Sequence, residues 1–149
     1  MSDNIHDSIS NRGMAPEKWA RREMRGIPAS LGALWTSKAE DGSWRYALQL
    51  DDSHHNAQGF VHGGVLMSFL DHTLSLLAWE ASGRAPCSTV QLDTHFLTAL
   101  KAPVFIELDA RILQRGKSVI FMTGTLRNGD TPVANATGVW RVARKSPSE

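Results

Sequence analysis

One run, Gly63 to Ser82, constrains this chain more than any other feature. At about 100° per residue, Val65, Leu66, Phe69, Leu70, Leu74, Leu77 and Trp79 spread over more than half the circumference of a helix. A helix lying on a surface carries a narrower apolar stripe. The pattern therefore predicts a helix wrapped by other elements, with Gly83 as its C-terminal stop.

The rest of the chain supplies strands for the wrapping. Leu31–Lys38 and Trp44–Asp51 read as strands joined by Asp41-Gly42. In the second, Trp44, Tyr46, Leu48 and Leu50 alternate with Arg45, Ala47 and Gln49, the period of a half-buried strand. After a polar loop over 52–60 and the helix come Thr89–Leu97, Val104–Leu113, Ser118–Leu126 and Pro132–Val142. The last two are separated by the hairpin signal Asn128-Gly129. Short turns require antiparallel neighbours. The expected order is ββαββββ, an α+β domain with a curved antiparallel sheet around one long central helix. Residues 1–14 read as a polar arm, and Pro16 opens a short surface helix, PEKWARREMR. The expected division is an arm over 1–28 and the main domain over 29–149.

At 149 residues the chain suits one domain with a real core. A net charge of +1 makes no case for nucleic acid or an anionic membrane as partner. The single cysteine, Cys87, forbids an intrachain disulfide and fits a reducing compartment. The polar start MSDNIHDSIS lacks the apolar segment of a secretory signal. Val65–Trp79 is too short to span a bilayer and is broken by Asp71 and His72. These features together predict a soluble, cytoplasmic protein.

The other face of the helix gathers Gly64, Ser68, Asp71, Ser75 and Ala78: small residues around one carboxylate. Asp71 follows Gly64 by seven residues, so the two are nearly in line and about 10 Å apart along the axis. That is too far for both to act on one atom. An antiparallel helix from a two-fold partner would bring one chain's Asp71 beside the other's Gly63 and Gly64, so the spacing predicts a site shared between subunits. Free N–H groups at a helix start carry partial positive charge. They can polarise a carbonyl and hold the oxyanion that forms when it is attacked. A carboxylate across the site can deprotonate water or attack directly. A thioester suits this equipment, because a thiolate leaves without a strong general acid. The competing reading gives Asp71 a purely structural partner, a buried Arg or a donor from a dimer mate, and gives the glycines a packing or turn role.

The segment His55-Asn56-Ala57-x-Gly59-x-x-His62-Gly63-Gly64, followed by Asp71, resembles the hotdog-fold acyl-CoA thioesterases of the PaaI-like group. The resemblance spans roughly residues 30–142. It implies a hotdog fold and hydrolysis of an acyl-CoA, with no metal or redox cofactor. It also implies a homo-oligomer, a dimer or a dimer of dimers. By position it makes Asp71 the catalytic base or nucleophile, and makes the Gly63 N–H, with Gly64 beside it, the group that polarises the carbonyl. Asn56 would orient the thioester, and Thr89 would help hold the attacking water. His62 falls at the helix entrance, mainly as a structural residue. Arg115-Gly116-Lys117 falls in the turn that lies along coenzyme A.

Other readings carry less. His54, His55, His62 and His72 match no zinc spacing, and His72 reads as a hydrogen-bonded core histidine. Cys87 has no supporting pattern as a nucleophile and reads as a linker thiol between helix and strand. A hotdog hydratase or dehydratase would use His54 or His55 with Asp71, but the His-Phe-Pro segment of such enzymes is absent. A non-catalytic acyl-CoA-binding domain of this fold tends to lose the carboxylate that Asp71 supplies. Met67, Phe69, Trp79 and Phe96 read as core first and as borders of an acyl pocket second. The acyl group stays open between aryl and medium-chain alkyl.

Overall fold

The computed structural model describes residues 18–144. The strands are β1 (Ala20–Arg22), β2 (Leu34–Lys38), β3 (Trp44–Leu50), β4 (Cys87–Phe96), β5 (Val104–Arg115), β6 (Val119–Asn128) and β7 (Thr131–Val142). They form one sheet in the order β1-β2-β3-β5-β6-β7-β4, and every pairing is antiparallel. The sheet curls around one long helix, α1 (Gly63–Ala81), inserted in the chain between β3 and β4. This is the hotdog architecture expected from the sequence.

The strand alternation translates directly into the core. On β6, Ile120, Met122 and Leu126 point inward and are buried, while Phe121 between them is exposed. On β7 the inward residues are Ala134, Ala136 and Trp140. From α1, Leu66, Phe69, Leu70 and Leu74 meet them. Small residues set how closely the helix approaches. A Cβ on Gly124 would lie 2.9 Å from Leu74 Cδ2 and 3.0 Å from Leu108 Cδ1, so a side chain there would have to displace the tips of both leucines.

Three expectations need correction. The short helix from Pro16 is absent over its described part: Ala20–Arg22 is strand, paired with β2 from Ala20↔Thr36 to Arg22↔Leu34. Pro16 and Glu17, like the arm over 1–14, lie outside the described residues. The order is therefore βββαββββ. The reason is tertiary. Trp19 is buried against Phe105, with ring centroids 5.4 Å apart, and such burial outweighs modest helix propensity. The same contact corrects β3. Ala47 is fully buried on the outer side of the sheet in a second cluster with Trp19 and Phe105, against which Trp35 packs, so this strand is covered on both faces. Finally, β2 starts at Leu34, because Ile27–Leu31 forms a 3-10 turn that ends at Gly32, whose φ of 101° suits glycine.

Candidate active site

The helix start is built by a histidine and two glycines. His62 is extended and caps α1, its Nδ1 accepting the Gly64 N–H at 2.8 Å. A Cβ on Gly64 would lie 3.0 Å from that nitrogen, so glycine here keeps the cap intact. The His62 carbonyl accepts from Val65 N at 3.0 Å and Leu66 N at 3.5 Å. Among the described residues, no acceptor takes the Gly63 N–H. A Cβ on Gly63 would lie 3.2 Å from the Phe96 ring, so the absence of a side chain lets that ring lie over the helix mouth.

Asn56 stands beside this mouth. Its Oδ1 accepts the N–H groups of Gln58 at 3.0 Å and Phe60 at 3.1 Å, which closes the loop. Its Nδ2 has no partner among the described residues. Asn56, Gly63, Leu66 and Phe96 line one depression of about 450 Å³. His54 and His55 brace the loop from behind. His54 is buried, its Nε2–H donating to the Leu31 carbonyl at 2.8 Å and its Nδ1 accepting the Asp51 N–H at 2.9 Å. His55 Nε2 accepts the Ala102 N–H at 2.9 Å. His54 is committed to backbone groups at both ring nitrogens and His55 at Nε2, which argues against the acid-base role a hydratase would need.

Asp71 sits two turns further along α1. It lines a smaller depression of about 260 Å³ with Met67, Ser68, Thr89 and Leu92. The Thr89 hydroxyl donates to Asp71 Oδ1 at 2.6 Å. Ser75 Oγ lies 3.4 Å from Thr89 Oγ1, and the buried Trp140 Nε1–H donates to Ser75 Oγ at 2.9 Å. Indole is a donor only, and the single Thr89 hydroxyl proton goes to Asp71, so the row has one direction: Trp140 to Ser75, Ser75 to Thr89, Thr89 to Asp71. It fixes one carboxylate oxygen and leaves the other open.

Several expected residues sit differently from the sequence reading. Ala78 is fully buried and does not share the open helix face. His72 is half-buried and has no side-chain hydrogen bond among the described residues; burial holds its pKa below the ordinary histidine value, against the opposing pull of Asp71. Phe69 belongs to the core, but Met67 and Phe96 are exposed and edge the two depressions. Cys87 opens β4, its Sγ–H donating to the Ala85 carbonyl at 3.3 Å. Arg115, Gly116 and Lys117 are exposed at the β5–β6 turn. The register runs Arg115↔Ile120, Ile120↔Trp140 and Trp140↔Thr89. Three strand spacings, about 14 Å, thus separate Arg115 from Thr89 in one chain.

The structure therefore brings Asn56 together with Gly63, and Thr89 together with Asp71, but it holds the two pairs apart. They share no lining residue, and eight helical residues place Gly63 and Asp71 about 12 Å apart along the axis. Sequence reasoning missed Ser75 and Trp140 as supports. Ser75 had a signal, one turn beyond Asp71 on the same face. Trp140 had none, because only the β4–β7 register carries it there.

The fold and the sequence have known counterparts. The thioesterase superfamily model matches residues 58–135, and the chain belongs to that superfamily. Human acyl-coenzyme A thioesterase 13 is 27% identical over 121 residues, 80% of this chain and 85% of that protein. A phenylacetic acid degradation-related protein from Ralstonia eutropha JMP134 has a similar structure, with TM-score 0.68 and 29% identity over 79% of this chain and 92% of that one. A Streptococcus mutans UA159 protein solved bound to acetyl CoA matches in fold, with TM-score 0.68 and 23% identity over 83% and 95% of the two chains. Within the matched stretch lie Gly63, Asp71 and Thr89; Asn56 falls just before it.

Proposed function

We propose that this chain is an acyl-CoA thioesterase whose reaction site forms between two copies of the chain. One observation carries the reading: a backbone donor left free at the mouth of α1, and a carboxylate aimed by a hydrogen-bonded row two turns further along the same helix. The Gly63 N–H of one subunit, with Asn56 Nδ2 as second donor, holds the thioester carbonyl oxygen. Gly64 serves through the His62 cap and leaves the oxyanion to Gly63. Asp71 of the other subunit takes a proton from water through its open oxygen while Thr89 keeps the carboxylate in place. The hydroxide adds to the carbonyl carbon, the tetrahedral oxyanion collapses, and the carbon–sulfur bond breaks. The products are the free acid and coenzyme A, whose thiolate recovers a proton from Asp71.

The edge of the sheet supports a partner. β4 is a long terminal strand, and Val90 at its bulge is 63% exposed, as is Phe96 at 55%. A long unprotected edge with exposed apolar residues is a template for pairing. An antiparallel second copy beside it would set Asp71 against the opposite helix mouth, and pairing of such dimers would give the tetramer that the resemblance implies. The Arg115–Lys117 turn is proposed to meet a phosphate of coenzyme A bound mainly by the partner, since it lies far from the carboxylate of its own chain. The named relatives agree with this substrate class: one is called an acyl-coenzyme A thioesterase, and another was solved with acetyl CoA.

The test is subunit mixing. Asp71→Ala removes the carboxylate, and Gly63→Val drives a branched side chain into the Phe96 ring at the helix mouth. Each homo-oligomer is expected to release free thiol from a panel of aryl and alkyl acyl-CoAs roughly 10²-fold or more slowly than the parent. After the two are unfolded and refolded together, partial activity should return, because one site in each mixed pair is intact. A mixture as inactive as its parents, both still binding coenzyme A, would defeat the shared site. Saturable binding of acyl-CoA by the unaltered protein with no thiol release would place it among the non-catalytic domains of this fold.

A further inference from the structure

Away from both half-sites, the sheet splits. β3 and β5 are paired only from Ala47↔Glu107 to Leu50↔Val104. Beyond that, Trp44–Tyr46 stay with β2 while Leu108–Arg115 follow β6, and the two strands part. The wedge between them reaches down to Leu77 of α1. Two adjoining depressions of about 570 Å³ each occupy it, both lined by Ser43, Trp44, Leu77 and Ala110. Neither shares a residue with the depressions at Gly63 and Asp71.

The polar groups of the wedge are unevenly satisfied. Four of its rim charges are paired, Arg45 with Glu107 at 2.6 Å and Arg127 with Asp109 at 3.5 Å; Lys38 lies 4.7 Å over the Trp44 ring, and Arg111 and Asp130 have no ion pair among the described residues. Tyr46, on its wall, is only 5% exposed, and its hydroxyl has no hydrogen-bond partner among the described residues. That hydroxyl is not sealed in, either: among the described residues the sealed, partnerless side-chain atoms are Gln49 Oε1 and Thr94 Oγ1. It therefore opens into the wedge. Burial, reinforced by the nearby Glu80 carboxylate, pushes its pKa up to about 12, so it remains a donor throughout the physiological range. Glu80 lines the adjoining part of the wedge and is held by Arg84 at 3.6 Å.

We propose that the wedge between β3 and β5 is a second binding site, for a small uncharged ligand with an aromatic or aliphatic body and one hydroxyl group. The body lies on Trp44, Leu77, Leu108 and Ala110. The hydroxyl accepts from Tyr46 and donates to Glu80. An apolar wall with a few convergent polar groups is the usual form of a small-molecule site, and an unmet donor on such a wall favours a ligand that supplies an acceptor. A carboxylate seated at the Tyr46 hydroxyl would meet the charge of Glu80, the charged group that acts there, while the cations Lys38 and Arg111 line the adjoining part of the wedge; this separates the site from one for the free acid a thioesterase releases.

The experiment titrates the full-length protein with p-cresol, 4-methylanisole and p-toluate, following tryptophan indole N–H resonances, with Trp44 assigned through Trp44→Phe. A saturable shift at Trp44 with p-cresol is expected. Binding roughly fivefold weaker is expected for 4-methylanisole, which has no hydroxyl to donate, and for p-cresol with Tyr46→Phe, the scale of one net hydrogen bond. The site is overturned if Trp44 does not respond to p-cresol. It is equally overturned if p-toluate binds as tightly, or if a folded Tyr46→Phe keeps the original affinity. Should Tyr46→Phe fail to fold, Ala110→Leu narrows the wedge from β5, and unchanged p-cresol affinity there has the same force.

Discussion

Thr89 and Asp71 meet across the gap between β4 and α1, the threonine hydroxyl donating to the carboxylate at 2.6 Å. The two lie 18 residues apart in the chain and on different elements, yet the contact is one link in a row anchored by the buried Trp140. A carboxylate held at one oxygen by a directed row presents the other in a defined position, the requirement for a base acting on a bound water.

The row predicts a graded response. Asp71→Ala should lower kcat for thiol release by roughly 10²-fold or more, the scale of a positioned base. Thr89→Val keeps the shape but loses the donor, and should lower kcat by about tenfold, as for a hydrogen bond to a charged group. Both should leave KM nearly unchanged. Equal kcat in Thr89→Val and the parent would remove Thr89 from the mechanism.

The helix mouth separates stability from turnover. His62→Ala leaves the Gly64 N–H without its cap and should lower unfolding free energy by about 1 kcal/mol in urea titration. Gly64→Ala should change it by less than that, because crowding of His62 Nδ1 by the new Cβ opposes the better helix propensity of alanine. Neither change removes the Gly63 N–H, so the kcat of folded protein should stay within a few-fold of the parent. A collapse of kcat in His62→Ala at full stability would give the imidazole a chemical part.

How much of this was legible follows from the range of each interaction. The helix, its glycine mouth, Asp71 and the four strands after it follow from local period and turn chemistry, so their places agree with the sequence reading to within a few residues. The stretch at Ala20–Arg22 was misread because its alternating charges fit an exposed helix as well as an edge strand. What decides it is Trp19 against Phe105, 86 positions along the chain. Trp140 escaped notice for the same reason. The separation of Gly63 from Asp71 was legible, because rise per residue fixes it whatever the packing.

His72 gives a pH signature. Its folded pKa lies below the ordinary value of 6.5, chiefly because burial penalises the charged ring. Above that value both folded and unfolded chains hold it neutral, and stability is unaffected. As pH falls below 6.5, the unfolded chain takes up the proton first, so stability declines until the lower folded value is passed. His72→Gln should flatten that part of the curve, measured by urea unfolding at intervals from pH 7.5 to about 5. An unchanged slope would mean that other groups carry the acid sensitivity.

The outer face offers the clearest separation of fold from chemistry. Trp19 stacks edge-on against Phe105, and the Arg45 guanidinium lies 4.9 Å from its ring centre while pairing with Glu107 at 2.6 Å. Trp19→Ala should therefore lower unfolding free energy by about 3 kcal/mol, the usual scale for emptying a buried aromatic site. The combined Trp19→Ala, Phe105→Ala protein should lose less than the two single losses added, because the rings stabilise each other. This cluster lies on the side of the sheet away from α1. At temperatures where the variants remain folded, kcat for thiol release should match the parent. A parallel fall in kcat would show that the outer cluster holds the sheet in the curvature that sets Thr89 against Asp71.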